Sequence, residues 1–318
     1  MQFTTKVPIS KSNHPIDYQS QLLSLGSCFA VNMAQKLDYF KFSSSCNPFG
    51  ILFHPEAINE IIQKAISHSP FTEADIFFHN GLWHSFAVHS DLSHPEKETF
   101  LLRLNGKLES TNNQICHATH IIITYGTAWV YRENKSSRIV ANCHKVPQSQ
   151  FAKELLSVDA IQSAMSHTME AIQKINPDCT VIFTVSPVRH IKDGFTENQR
   201  SKAHLITAMH NQLQTDRRQV ATAYFPSYEI MMDELRDYRF YAEDLLHPNQ
   251  TAINYIWERF SEGHISDTAH ETAETVSGIQ KALQHKPFHP DSESHQQFLS
   301  ALQKKILALQ QQFPNIQF

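Results

Sequence analysis

Two short segments, far apart in the chain, carry residue types that could act together in acyl chemistry. The first is Leu25-Gly26-Ser27-Cys28-Phe29-Ala30. It joins a short apolar run, QLLSLGS at 21–27, to a stretch with helical spacing through Phe29, Met33, Leu37 and Phe40, so it reads as strand, sharp turn and helix. A serine in such a turn presents its hydroxyl at a sheet edge, where the first N–H groups and positive dipole end of the helix face a developing oxyanion. The same hydroxyl can instead cap the helix, so this segment alone leaves Ser27 open between nucleophile and cap.

The second segment is Asp244-Leu245-Leu246-His247-Pro248-Asn249. A catalytic histidine accepts a proton on one ring nitrogen while the other donates to a carboxylate that fixes the tautomer. The Asp-x-x-His spacing lets both side chains sit on one loop or helical turn, with Pro248 and Asn249 opening a helix through Thr251 to Phe260. By itself the motif is equally compatible with a surface aspartate and a loop histidine.

The elements around these segments alternate between strand and helix. After the turn Asn47-Pro48-Phe49-Gly50 come a short extended ILFH and the helix PEAINEIIQKAIS, opened by Pro55. IFFH and LWHSFAVH flank Asn80-Gly81, a favoured hairpin turn, and 95–112 reads as an amphipathic helix. HATHIIITYGT at 117–127 is the most β-rich run and a candidate central strand ending at Gly126. A hairpin across WVYRENKSSRIVAN, a helix over 157–175, the strand CTVIFTVSP at 179–187, a helix over 197–215 and the strand QVATAYFPS at 219–227 follow. This alternation predicts a mostly parallel sheet covered on both faces, with Ser27, Gly126 and Ser186-Pro187 at strand ends along one edge. Ligands of open α/β sheets bind at that edge. From about residue 263 the composition shifts to His, Gln, Ser and Glu, with helices near 268–284 and 292–312, so the expected division is 1–262 and a helical extension over 263–318.

Composition bounds the function. The 318 residues are 41% hydrophobic and 18% charged, as in an ordinary globular protein. A net charge of -4 gives no global attraction to nucleic acid or anionic lipid. The opening residues contain no apolar run of signal-peptide length and no later run is long enough to span a bilayer, so a cytoplasmic protein is expected. Cys28, Cys46, Cys116, Cys143 and Cys179 form an odd set without CxxC spacing, and the 20 histidines form no HExxH pattern, so neither disulfide nor metal nor other cofactor is expected.

The two chemical segments also resemble a known family. GSCFA at 26–30 is the signature of the GSCFA family, a group of bacterial proteins related to SGNH hydrolases, and DLLHP at 244–248 is similar to the DxxH block of SGNH enzymes. NPFG at 47–50, TYGTAWVY at 124–131, VANCHKVP at 140–147 and SPVRH at 186–190 extend the likeness over about residues 15–260. The resemblance implies a three-layer α/β/α sandwich of flavodoxin type and acyl transfer through a covalent acyl-serine. It makes Ser27 the nucleophile, His247 the base and Asp244 the residue that orients it. It further implies oxyanion donors at the Ser27 N–H, a second-block glycine and a third-block asparagine, for which Gly50 and Asn142 are the candidates. The expected GxND block is absent: Trp129 stands where its asparagine should, with Gly126 nearby as a site of close backbone approach.

Arg189 and His190 follow a strand end and are candidates for binding an anionic substrate or leaving group, Arg189 being equally an ion-pair partner in the fold. Trp83, Trp129 and Tyr131 could stack on sugar rings or simply pack. The expected substrate is an ester, an O-acyl group on a carbohydrate or small molecule, and transfer of that group to a sugar is an alternative outcome. Two other classes compete. One is a cysteine nucleophile at Cys28 or Cys143, and the other is an SGNH-like module that binds a glycan or a protein partner without turnover.

Overall fold

The central strands follow runs of residues buried on both faces. After β1 (Gln21–Gly26) come α1 (Cys28–Tyr39), β2 (Ser43–Cys46), α2 (Pro55–Ile66), the hairpin of β3 (Phe77–His79) and β4 (Leu82–His84), α3 (Lys97–His117) and β5 (His120–Tyr125). Next are β6 (Trp129–Glu133), β7 (Ile139–Val140), β8 (Phe151–Leu155), α4 (Val158–Ile175), β9 (Thr180–Val185), α5 (Phe195–Thr215) and β10 (Thr222–Phe225). The chain ends with a one-turn α6 (Ser227–Glu229), then α7 (Gln250–His264), α8 (Asp267–Gln284) and α9 (Glu293–Gln312). The structure, a computed structural model, describes residues 4–215 and 221–318.

Five of these strands form one parallel sheet in the order β10-β9-β5-β1-β2. β5 and β9 are buried at every position, as strands covered on both faces must be. Leu23, Leu25, Ile121, Ile123, Val181 and Phe183 face Ile58, Leu104, Met165 and Leu205 of α2 to α5. Leu22, Ile122 and Ile182 point the other way, onto Phe29, Met33 and Leu37 of α1 and Ile256 and Phe260 of α7. The fold is thus a three-layer α/β/α sandwich. In chain order its sheet strands run 2-1-3-4-5, and the order reverses between β1 and β5, the switch point beyond whose strand C-termini open α/β sheets generally bind ligands.

Several local expectations shift. Helix α3 continues five residues beyond 112 because Ile115 lies on the same buried face as Leu104, Leu108 and Thr111. ILFH forms no strand, and the edge position beside β1 is taken by SSSC of β2, whose pairing Gln21↔Ser43 to Ser24↔Cys46 is made by backbone rather than by apolar side chains. Asn80 and Gly81 both adopt positive φ, 46° and 80°, matching a two-residue hairpin turn. The β6–β7 hairpin gains a third strand, β8, on its other side. Of the strand expected from 219, residues 219–220 lie outside the described residues. The helical tail shares the second core: Val276 and Ile279 of α8 and Leu302, Ile306 and Leu309 of α9 join the cluster of Phe29 and Leu37. Among the described residues no helix is long and apolar enough to cross a membrane.

Three buried histidines make the packing depend on pH. His54 caps α2 by accepting the Ala57 N–H at Nδ1, 3.1 Å, so its proton sits on Nε2, 3.1 Å from the Val140 carbonyl. Burial pushes His54, His144 and His264 down to about 4 from the ordinary 6.5. Between these values the unfolded chain binds more protons than the folded one, so stability is complete above about pH 6.5 and declines as pH falls toward 4. Each histidine contributes up to about 1.4 kcal/mol per pH unit in that window. Thermal melting from pH 8 to pH 4 should give a level Tm down to roughly pH 6.5 and a steepening fall below it; a level Tm throughout contradicts this assignment.

Candidate functional site

The end of β1 is fixed from three sides. Ser27 donates its backbone N–H to the Thr124 carbonyl on β5, 3.0 Å. Gly26 donates to Asn47 Oδ1, 2.8 Å, and accepts from Leu52 N–H, 3.1 Å. At Gly26 φ is +135°, and a Cβ there would lie 2.1 Å from the Thr124 carbonyl oxygen, so only glycine fits. Ser27 then opens α1 in extended conformation, yet its side chain makes no capping bond. Its Oγ is buried and unpartnered among the described residues. The capping alternative for Ser27 is thus not taken up.

The second segment forms a tight loop. Asp244 Oδ1 accepts the N–H groups of Leu246 and His247 at 2.9 and 3.0 Å, and Asp244 Oδ2 lies 2.6 Å from His247 Nδ1. These bonds hold the Asp244 carboxyl at about 2, below its ordinary range, first through the two N–H groups and then through the ring. Asp244 and His247 are about half exposed. Arg189 secures the loop: its guanidinium donates to the Leu245 carbonyl, its N–H to Leu246 O at 3.2 Å, and its charge stacks 4.5 Å over the Tyr241 ring.

The loop lies within electrostatic reach of the start of α1. Burial raises the Cys28 thiol, Lys202 and the N–H groups of Phe29 and Cys28 oppose the rise, and Asp244 adds to it. Burial likewise drives His190 down to about 3, with the charges of Lys202 and His247 pushing the same way. Asp244 therefore lies within electrostatic reach of the residue after Ser27, and His247 within reach of His190.

Gly126 lines the same spot. A Cβ on it would meet Ser27 Cβ and Phe53 Cδ1 at 3.1 Å and His190 Nε2 at 3.3 Å. His190 is anchored by its N–H to Asn198 Oδ1, 2.9 Å, and by an edge-on contact with Phe53, 5.6 Å between centroids. Its Nε2 is buried with no partner among the described residues.

Helix α5 supplies the floor, which sequence reasoning missed. Lys202 is buried and donates to the carbonyls of Gly126, 2.8 Å, and Ser186, 2.7 Å, joining the ends of β5 and β9. Burial pushes its ammonium down to about 7. Ser201 Oγ accepts the Ala128 N–H at 2.7 Å. The missed signal is Asn198, Ser201 and Lys202 at i, i+3 and i+4 in line with Leu205, Ala208 and Met209, a polar patch on an apolar helix face.

Other expected residues go elsewhere. The Ser27 N–H is spent on Thr124 and cannot also serve an oxyanion. The Gly50 N–H is spent on Asn47 O, 2.8 Å, and its φ of 74° with His89 packed against it gives this glycine a turn role. Asn142 accepts from His144 N–H at 2.8 Å and Ser90 Oγ at 3.3 Å, tying its loop to the 86–90 segment, and no described contact joins it to Ser27. The Gly126 N–H goes to Phe53 O, 2.8 Å. Trp129 donates its indole N–H to Glu197 O at 3.1 Å, Lys153 lies over both Trp129 and Tyr131, and Trp83 packs on Phe78, so all three aromatics have packing roles. Cys143 is raised to about 11 by burial, which disfavours a thiolate there as it does at Cys28. Among the described residues no group of three or more His, Cys, Asp or Glu is arranged to hold a metal.

A model of the GSCFA family matches residues 21–260, and one of the GSCFA domain protein C-terminal domain matches 276–318. No curated protein matches the sequence. Similar solved structures include a carbohydrate esterase family 3 from Talaromyces cellulolyticus, at 10% identity and TM-score 0.32 over 76% of this chain and 95% of that one. Another is an acetyl esterase mutant S10A with acetate ion, at 11% identity and TM-score 0.32 over 81% of this chain and 100% of the other.

The two glycines beside Ser27 should respond differently to alanine. Gly26→Ala drives a Cβ into backbone that cannot move and adopts a disfavoured φ, so a loss above about 3 kcal/mol, a Tm drop of roughly 6–12 °C, is expected. Gly126→Ala meets only side chains that must yield by a few tenths of an ångström, and its Tm should stay within about 3 °C. Calorimetry of both variants decides, and equal losses would contradict the described backbone approach at Gly26.

Proposed function

The chain belongs to the GSCFA family, and from that premise we propose that it is an SGNH-type serine hydrolase that cleaves an O-acyl ester on a carbohydrate or small molecule. The observation that carries this reading is the unspent Ser27 hydroxyl at the start of α1, next in the chain to Cys28, which feels the charge of Asp244 from an Asp–His pair bonded at 2.6 Å. A serine that merely capped the helix would have spent that oxygen on an N–H of the first turn.

In this mechanism Ser27 Oγ attacks the ester carbonyl carbon while His247 Nε2 takes the hydroxyl proton. Asp244, ionised down to about pH 2, accepts the His247 Nδ1–H and stabilises the imidazolium without taking the proton. The tetrahedral intermediate collapses, the C–O bond to the alcohol breaks, and the alcohol leaves with the proton from His247. Water, deprotonated by His247, then attacks the acyl-serine and releases the acid and the free Ser27.

One observation favours the competing reading of a binding module without turnover: Ser27 is fully buried, so an ester reaches it only when neighbouring side chains part. Covalent chemistry separates the two. A fluorophosphonate should modify Ser27, and Ser27→Ala should lose both labelling and hydrolysis of p-nitrophenyl acetate, by roughly 10³-fold or more. His247→Ala should lose nearly as much and Asp244→Asn less. Labelling that persists in Ser27→Ala would remove Ser27 as nucleophile, and a wild type that neither labels nor turns over would leave the binding module.

A further inference from the structure

An acyl-serine mechanism needs a donor about 2.7–3.1 Å from the oxygen that gains charge, and the donors inherited from the family resemblance are largely engaged. The N–H groups of Ser27, Gly26, Gly50, Gly126 and Thr127 all bond to fixed acceptors. The Lys202 ammonium donates to two carbonyls, and Asn142 is turned to Ser90 and His144. Across Gly126 from Ser27 stands a ring nitrogen: His190 Nε2, buried, unpartnered among the described residues, and facing the same point next to Gly126 that Ser27 Cβ faces.

We propose that His190, as the neutral tautomer protonated on Nε2, is the side-chain oxyanion donor of this site, in place of the asparagine missing after β5. The inference rests on Ser27 being the nucleophile. A base must become a cation during the reaction, and the surroundings of the two histidines differ in what they permit. His247 has a carboxylate at 2.6 Å, whereas His190 is half-buried with its Nε2 buried, lies within electrostatic reach of Lys202 and His247, and has no carboxylate bonded to it among the described residues. A donor needs no change of charge, and a neutral imidazole supplies a directed N–H. His190 is also held before any substrate arrives, by the Asn198 bond to its backbone and the Phe53 ring against its face. Such preorganisation gives a donor its value, since no reorganisation is needed as charge develops.

Asn47 Nδ2 is a buried amide nitrogen near β1, also without a partner among the described residues. Its group is turned by Oδ1 toward Gly26 N–H, and no described contact brings it to Gly126 or His190. His190 is therefore the residue to test.

The test is the rate at which a fluorophosphonate modifies Ser27, because that reaction also places charge on an oxygen next to the nucleophile. His190→Phe, which keeps a ring against Phe53 but has no N–H, should lower the maximal inactivation rate on the order of 10²-fold while the inhibitor constant moves little. His190→Gln, which restores an N–H, should recover part of the rate, and p-nitrophenyl acetate should show the same loss in kcat with KM nearly kept. Wild-type inactivation rates in His190→Phe overturn the proposal. A loss that appears only in the inhibitor constant, or together with a collapse in Tm in both variants, also overturns it by making His190 a packing residue. Inactivation as complete as in Ser27→Ala, with normal rates in His247→Ala, makes His190 the base instead. If wild-type Ser27 is never modified, the nucleophile reading itself fails, a result distinct from all of these.

Discussion

The close approach of β1 to β5 at Gly26 and Thr124 is the constraint on which the site depends. With Thr124 O occupying the space of a Cβ on Gly26, the chain turns sharply, and Ser27 commits its N–H to the same carbonyl. The backbone is thus anchored before α1 begins, so the first turn of the helix does not draw in the Ser27 hydroxyl as a cap. A strand end so fixed, at the point where the sheet order reverses, leaves the Ser27 hydroxyl buried and without a partner among the described residues.

Lys202 is the electrostatic counterpart of that constraint. A lysine with no carboxylate partner is costly to bury, and here its head is satisfied by the terminal carbonyls of β5 and β9, which it ties together. Its charge opposes protonation of His190 and favours negative charge at the start of α1. Asp244, held ionised by two N–H groups and the His247 ring, fixes the orientation of that ring through Nδ1. Two histidines within electrostatic reach of each other thus stand in different surroundings: His247 is bonded to a carboxylate, and the buried Nε2 of His190 has no partner among the described residues.

What was legible in the sequence was the part set by local pattern. Apolar runs gave β1, β5 and β9, Asn80-Gly81 gave its hairpin, and helical spacing gave α1, α2, α4 and the two terminal helices. The Asp244–His247 spacing foretold a bond that the loop does make. What was not legible depended on partners distant in the chain. SSSC carries no strand pattern, and β2 exists because β1 offers it an edge. The N–H groups of Ser27 and Gly50 are free as far as sequence can say, and only the packed sheet and turn reveal that Thr124 and Asn47 take them. His190 is legible only as a candidate for binding an anionic substrate or leaving group after a strand end. Its position across Gly126 from Ser27 follows from the β5–β9 pairing and from α5 anchoring the loop at Asn198.

A crystal structure of the chain after treatment with a fluorophosphonate tests the central claim most directly. The account predicts phosphorus bonded to Ser27 Oγ, a phosphonyl oxygen about 2.7–3.1 Å from His190 Nε2, and the Asp244–His247 pair intact beside the adduct. Phosphorus on any other residue, or an unmodified Ser27 with its hydroxyl turned to cap α1, would contradict it.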